Sequence, residues 1–574
     1  MFKKNEFWKQ YKSLLIILAV ALIYYIHHVL SFRLGMNFEE SRDANAYLLA
    51  MQGNLAYRDF EWLYGPFSFF VYPFIMKIFG VNLIVLRISY IIFASLVIPL
   101  VFFLSKRIMP SLWAGIAAFL SIIFFNVPYY TFNHIFIVLA EIACLLMICR
   151  YLESNKKIYN IFWAGIFCSI CLLTKPLLAG VSFLVAVSLF LFLFDGLREF
   201  RNKINNYLIF LIGVFILPLI YLLYFYSQTA LKDLPVAYPL FFQPNSAVSV
   251  SLSSKIDIIT FSEILKKING IFPISSLINI SSFGEFKQLL VTSFEAFINC
   301  LYFIVPISII FIYIRARFNK VNFEIKEKLL RDKNSLLIII IPSVFISFES
   351  FLVGHNMTKA YNIQLTFILT VYLLYFLKTF YSTRPVITRI CIAIFLFYIS
   401  FLNFFIYPYS NSKRYREPLN LVRAQGILVT AYEKELYESL FSYLSKNLQD
   451  NEKIVVMGYY PQLSFLTKQN NIFVREEYLL KKLEFLVKMS IKREDLRPIV
   501  TSFEHSIISK IENENPKIIL KISNNYLSDF QSISPRIEDF IEKKYSLDEI
   551  FGPADILGFG KKLYWVNSYK LKEI

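Results

Sequence analysis

From Ser13 to Phe32 the chain runs through twenty residues without an aspartate, glutamate, lysine or arginine. That is the length an α-helix needs to cross the hydrocarbon core of a bilayer. Apolar runs of similar length recur at 82–104, 111–127, 133–151, 158–174, 177–194, 207–226, 293–314, 335–353, 361–378 and 386–406. The composition agrees: 57% of residues are hydrophobic and 17% are charged, against about 25% charged in an average soluble chain. Alternating segments of about ten residues do not dominate, which excludes an outer-membrane barrel. The pattern predicts a polytopic α-helical membrane protein with about eleven transmembrane helices.

The short connections carry a charge bias. Lys3, Lys4, Lys9 and Lys12 precede the first run, and Lys106, Arg107, Arg150, Lys156, Lys157, Arg198, Arg201 and Lys203 follow later ones. A further basic cluster spans Arg315 to Lys333, and Lys378, Arg384 and Arg389 complete the set. Simple alternation of the spans puts all of them on one side, which the positive-inside rule makes the cytoplasm. The apolar stretch after Lys12 is long for a signal peptide and no small-x-small cleavage site follows it, so it reads as an uncleaved first helix. The opposite side then receives a first outer loop (33–81), a second large outer loop (227–292) and the tail. Within the first loop, Pro66 to Gly80 is apolar but too short to cross, and reads as an interfacial helix.

Residues 1–406 thus form a transmembrane unit, and 407–574 an extracytoplasmic α/β domain. In the tail, Lys453–Gly458 and Lys517–Ile522 read as buried strands, Leu563–Val566 as a last strand, and Glu433–Leu448 and Ile537–Lys544 as amphipathic helices. Segment 407–421, with Pro408, Pro418, Lys413, Arg414 and Arg416, reads as a linker.

Much of the net charge of +18 sits in the short loops, as the positive-inside rule expects. No compact Arg-rich or aromatic nucleic-acid footprint accompanies it, so nucleic acid is not a predicted partner. All six cysteines lie in or beside apolar runs. The CxxC spacing of Cys168 and Cys171 falls inside a span, where small core residues are the plain reading. No P-loop, GxGxxG or HExxH motif indicates nucleotide or zinc-peptidase chemistry. The sequons at Asn279 and Asn356 are short, frequent patterns.

Charge beside a bilayer is costly unless it serves a purpose. The first outer loop concentrates it: Glu39, Arg42, Asp43, Arg58, Asp59 and Glu61. Asp43 and Tyr47 are four apart, and Glu39 lies one turn before Asp43, so on a helix the three share a face. Such a carboxylate can act as a general base or hold a divalent cation. Arg42 and Arg58 can grip a lipid phosphate in a fork. Solvated loop charge is the alternative.

The stretch Arg42-Asp-Ala-Asn-Ala-Tyr47 through Tyr57-Arg-Asp-Phe60, with Gly65-Pro66 and Phe79-Gly80, resembles the first outer loop of the GT-C glycosyltransferases. The branch it resembles is that of protein O-mannosyltransferases and the lipid A aminoarabinose transferase. Val85-Leu-Arg-Ile88, Leu172-Leu-Thr-Lys-Pro176 and His355 to Lys359-Ala-Tyr361 are similar to further motifs of that family. The resemblance implies a polyprenyl-phosphate-linked sugar as donor and a glycan, lipid or protein acceptor on the outer face of the cell's inner (plasma) membrane. It implies Asp43 as the base of a one-step, inverting displacement. Asp59 and Glu61 would orient the acceptor or bind a metal. Arg42, Tyr47, Tyr57, Arg58, Tyr64, Lys175, His355, Lys359 and Tyr361 complete the expected substrate-binding set.

Many relatives carry a second acid at the outer start of the fourth span, where this chain reads Thr131-Phe-Asn-His-Ile135. A possible divalent metal therefore stays an open expectation, and no other cofactor is implied. For Lys175, snorkelling to the interface and phosphate binding are both open. Arg87 reads as a structural or lipid-phosphate partner, and Glu141 as an intramembrane polar contact. Two other functions fit a polytopic protein with outer loops. One is an O-antigen ligase or polymerase, which carries its large outer loop late in the chain. The other is a transporter or flippase, which shows internal repeats and broken mid-membrane helices absent here.

Overall fold

The computed structural model describes residues 4–124 apart from 37, 61 and 63, and then 132–153, 157–175, 180–194, 200–231, 386, 415–449, 452–457, 461–467, 470–471, 497–524, 534–554 and 564–572. The helices of the N-terminal half are α1 (Lys4–Ser31), α2 (Phe38–Met51), α3 (Ser68–Phe79), α4 (Leu83–Ser95), α5 (Val97–Lys106), α6 (Ser111–Phe124), α7 (His134–Glu153), α8 (Ile158–Thr174), α9 (Val181–Phe194) and α10 (Phe200–Ser227). Each of the first seven expected spans coincides with one of these helices or, for 82–104, with α4 and α5 together. The remaining four, apart from Val386, lie outside the described residues. Three stretches are long and apolar enough to cross a membrane among the described residues: Leu83–Lys106, His134–Glu153 and Ile204–Ser227.

Local sequence explains the breaks. Asn82 caps α4 by accepting a hydrogen bond from the Ile84 amide at 2.8 Å, the ordinary use of Asn at a helix start. The run then divides at Leu96, because Pro99 has no N–H and its ring crowds the carbonyl four residues back. Helix α7 is the central element, with fifteen of its twenty residues buried. Helices α1 and α10 are peripheral. Leu15, Leu18, Leu22 and Val29 of α1 and Leu208, Ile212, Phe215, Leu219 and Leu223 of α10 are exposed, as a surface facing lipid tails requires. Within the apolar stretch 66–80, Ser68–Phe79 forms α3, a helix of twelve residues.

The tail holds a five-stranded sheet in the order β4-β3-β5-β7-β6, built from β3 (Lys453–Met457), β4 (Asn470–Asn471), β5 (Ile518–Asn524), β6 (Tyr545–Ala554) and β7 (Tyr564–Leu571). The β4, β3 and β5 strands are parallel, and β7 and β6 complete the sheet antiparallel. Alternation along β3 serves two cores: Ile454 and Val456 join the large cluster, while Val455 and Met457 pack with Ile507, Ile511, Ile537 and Ile541. A strand covered on both faces reads as a continuous apolar run for this reason. Around the sheet lie α11 (Ala431–Asn447), α12 (Pro461–Leu466), α13 (Arg497–Glu514) and α14 (Pro535–Lys544). Helix α11 opens with a reciprocal capping box between Thr430 and Glu433.

The expected linker 407–421 differs at its end. Glu417–Pro418 forms β1, antiparallel to β2 (Leu428–Val429), and Leu419 is fully buried. Pro418 is tolerated because a two-residue ribbon leaves an edge that needs no donor. This ribbon lies against the first outer loop: Leu34 bridges Leu428 in parallel, and α12 packs on α2.

Candidate active site

Helix α2 begins with Glu39 and Glu40, acids that suit the positive end of a helix. Glu40, Asp43 and Tyr47 fall three and four residues apart, on one face, and that face turns inward: their exposures are 0%, 1% and 0%. Three polar side chains buried on one short helix must be satisfied by partners.

Asp43 has two kinds of partner. Arg42 donates Nε and Nη2 to its Oδ1 at 3.0 and 2.7 Å. The Asn133 amide, just before α7, reaches Oδ2 at 3.4 Å. Burial pushes the Asp43 carboxyl up to about 6, against the pull of Arg42 and with the help of Glu39 and Glu40. Desolvation therefore outweighs the adjacent cation.

Tyr47 orients Asn133. Its hydroxyl donates to Asn133 Oδ1 at 3.0 Å, which turns the NH2 end of the amide toward Asp43. Burial holds the Tyr47 phenol well above its usual range, so it stays a neutral donor. Its ring stacks on Tyr72 at 4.9 Å and meets Phe69 edge-on at 5.6 Å. The Arg42 guanidinium lies over Tyr64 at 5.2 Å and Trp62 at 5.9 Å, in cation–π contact. Tyr64 in turn presents its ring to His134 at 5.8 Å.

The Gly65-Pro66 motif docks on the end of α8. Gly65 donates its N–H to Thr174 O at 2.8 Å, and Phe67 to Leu173 O at 3.0 Å. A Cβ at Gly65 would stand 2.0 Å from Leu173 O, so only glycine permits this approach. The contact brings the first loop beside Lys175, which is 5% exposed and whose charge acts on Glu141 in α7. Glu141 is buried, and its Oε1 has no hydrogen-bond partner.

The expected residues thus divide. Arg42, Asp43, Tyr47 and Tyr64 come together, with Asn133 between Asp43 and Tyr47. Tyr57 supports the loop: it adopts a left-handed φ of 72° and donates its hydroxyl to Tyr64 O at 2.5 Å. Asp59 is turned into its own segment, accepting from the Leu55 amide at 2.7 Å and pairing with Arg58 at 2.7 Å. Arg58 also reaches Gln228 O at 3.0 Å. Glu61, His355, Lys359 and Tyr361 lie outside the described residues, as do the sequons at Asn279 and Asn356.

One residue of consequence escapes the sequence reading. Glu40 forms a buried ion pair with Arg87, through Nε to Oε1 and through Nη2 to Oε2 at 2.6 Å. Arg87 also donates to Phe32 O at 2.7 Å and to Gly35 O at 2.6 Å. The signal was the acid three residues before Asp43, on its helix face.

Among the described residues, the donor set around Asp43 offers a divalent cation too few oxygens. One carboxylate oxygen is taken by a guanidinium, and the other faces a neutral amide nitrogen, whereas magnesium or calcium needs several oxygens. Among the described residues no three His, Cys, Asp or Glu side chains converge on a possible metal position.

No protein-family model matches the chain, and no curated protein is similar to it. Among solved structures, the Archaeoglobus fulgidus oligosaccharyltransferase in complex with Zn and sulfate is similar at 15% identity and a TM-score of 0.46, over 92% of this chain and 71% of that one. The oligosaccharyltransferase AglB of that organism, in complex with an inhibitory peptide and a dolichol-phosphate, is similar at 14% identity and a TM-score of 0.45, over 99% and 75%. ArnT from Cupriavidus metallidurans bound to undecaprenyl phosphate is similar at 10% identity and a TM-score of 0.38, over 96% and 97%. These neighbours are GT-C glycosyltransferases.

Proposed function

We propose that the chain is a membrane glycosyltransferase that moves a sugar from a polyprenyl-phosphate donor to a hydroxyl-bearing acceptor on the outer face. The observation that carries the reading is the Asp43 carboxylate, buried in the first outer loop, with Arg42 on one oxygen and a raised pKa of about 6. A base poised just below neutral pH is ionised at work yet keeps enough basicity to take a proton. The resemblance of residues 42–60 to the GT-C first loop supports the same assignment.

In the reaction, Asp43 Oδ2 takes the proton of the acceptor hydroxyl. The acceptor oxygen attacks the anomeric carbon, the bond from that carbon to the phosphate oxygen breaks, and the phosphate leaves with the electron pair. A single displacement inverts the anomeric configuration. Arg42 keeps Asp43 oriented, and Asn133, set by Tyr47, fixes the second oxygen. Lys175 supplies a cation for the leaving phosphate, whose departure needs charge neutralisation. Arg58, Tyr57 and Tyr64 shape the loop, and Glu61, His355, Lys359 and Tyr361 are further substrate candidates. A lipid-linked donor fits an outer site, where nucleotide sugars are not supplied.

This reading takes 1–406 as the catalytic membrane unit with about eleven spans and a cytoplasmic N-terminus, and 407–574 as the outer domain, in a cell inner membrane. The contact of the tail with the first loop supports a common side for both. The test is transfer by purified protein in lipid vesicles, using a panel of labelled polyprenyl-phosphate sugars and hydroxyl acceptor lipids. The reading expects product from at least one lipid-linked donor, with inverted configuration. Product from nucleotide sugars alone would overturn it.

A further inference from the structure

The tail domain meets the first outer loop at a built joint. Leu428 donates its amide to Arg33 O at 2.7 Å, and Gly35 donates to Leu428 O at 2.7 Å. Arg33 donates Nε to Gly426 O at 2.7 Å. Asn82, the cap of α4, donates its side chain to Val422 O at 3.2 Å.

Two glycines, one on each side, make the approach possible. Gly35 and Gly426 adopt φ of +63° and +86°, where a side chain is strained. A Cβ on Gly35 would meet the Tyr415 ring at 3.1 Å, and one on Gly426 would meet Ile84 Cδ1 at 3.2 Å. Each glycine thus makes room for a side chain of the other unit.

The loop side of this joint is also the seat of Arg87. Its guanidinium binds Phe32 O, Gly35 O and both oxygens of Glu40, and it is 1% exposed. Glu40 lies one turn before Asp43 on α2. A continuous set of hydrogen bonds therefore runs from the tail ribbon, through residues 33–35, to Arg87, to Glu40 and into the helix that carries Asp43. Helix α12 of the tail packs directly on the same α2.

We propose that Arg33, with its tail partners Gly426 and Leu428, positions α2, so that the outer domain acts as a lock on the Asp43 site. The proposal rests on the transferase reading for its catalytic consequence, though not for its structural one. When the joint opens, the carbonyls that hold Arg87 move, Glu40 loses its fixed partner, and Asp43 leaves its place against Asn133. Small displacements of a catalytic group are costly in rate while leaving substrate affinity largely intact.

The test uses the full-length protein in lipid discs, with Arg33→Met, Arg33→Lys and Gly426→Ala, and with Lys544→Met, an exposed tail pair away from the joint, as control. Hydrogen exchange of residues 38–51 and transfer kinetics are measured together. Arg33→Met and Gly426→Ala should raise exchange in α2 and lower kcat about tenfold, with KM for the lipid-linked donor within about twofold. Arg33→Lys, which keeps a donor for Gly426 O, should recover most of kcat, and Lys544→Met should change neither. Unchanged α2 exchange in both Arg33→Met and Gly426→Ala would overturn the lock, as would loosened exchange with an unchanged kcat. If the wild-type protein transfers no sugar, the transferase reading fails, and the exchange result alone decides the lock.

Discussion

Arg42 holds a single oxygen of Asp43 with two of its nitrogens, at 3.0 and 2.7 Å. The pair are neighbours in sequence on one helix, and the rings of Trp62 and Tyr64 under the guanidinium help hold Arg42 against the carboxylate. It leaves the second oxygen to the Asn133 amide, at 3.4 Å. The carboxylate is therefore oriented by a cation without being covered by it.

Burial of Asp43 carries a pH-dependent cost in stability. Its folded pKa, about 6, lies above the ordinary aspartate value of 3.8, so the folded state binds more protons between those values. Stability is then highest below about pH 4 and falls as pH rises to about 6. The fall attributable to this group is about 3 kcal/mol. Chemical denaturation of wild type and Asp43→Asn between pH 4 and 7 checks this: the difference in their stabilities should favour the variant progressively as pH rises.

Replacing Asn133 with aspartate places a second carboxylate beside the first. Like charges that close raise one of the two pKa values strongly. The midpoint of the pH–rate profile in Asn133→Asp should move alkaline by about one unit or more. Tyr47→Phe, which removes the donor to Asn133, should lower kcat while costing about 1 kcal/mol in stability.

Arg87→Met takes the guanidinium away from the fully buried Glu40 carboxylate. The expected loss is about 3–5 kcal/mol, the usual cost of breaking a buried pair from one side. The double variant with Glu40→Gln should regain much of it in thermal unfolding, since the buried charge is gone.

Gly65→Ala directs a methyl group into the backbone carbonyl of Leu173, 2.0 Å from the ideal Cβ position. The docking of the first loop on α8 should fail, with a stability loss of about 3 kcal/mol or more. Asp59→Asn, by contrast, should keep most of kcat and cost about 1 kcal/mol, because Asp59 serves the Leu55 amide. A loss of kcat in Asp59→Asn as large as that in Asp43→Asn would instead put Asp59 in the catalytic set.

The membrane helices were readable because apolar runs near twenty residues admit few other structures. The tail strands Lys453–Met457 and Ile518–Asn524 were readable as short apolar runs between charges. Only the family resemblance distinguishes the two loop aspartates in the sequence; their local residue pattern does not. Asp43 and Asp59 share a residue type, a loop and an adjacent arginine, yet one faces the α7 terminus and the other closes its own turn. That difference depends on the backbone of 55–60, which no residue pattern specifies. The Glu40–Arg87 pair joins positions 47 apart, and charge pairing at that distance follows only from the fold. The end of the linker was misread because Leu419 looks like any leucine until its burial is seen.

The most direct test of the account is the pH–rate profile of sugar transfer by wild-type protein and Asp43→Asn, at saturating lipid-linked donor. The wild-type rate should rise through a midpoint near pH 6 and level off by about pH 7, as Asp43 ionises. The variant should be slower by about 10²- to 10⁴-fold, with that midpoint gone. A variant that transfers sugar at the wild-type rate with the same profile would contradict the assignment of Asp43 as the base.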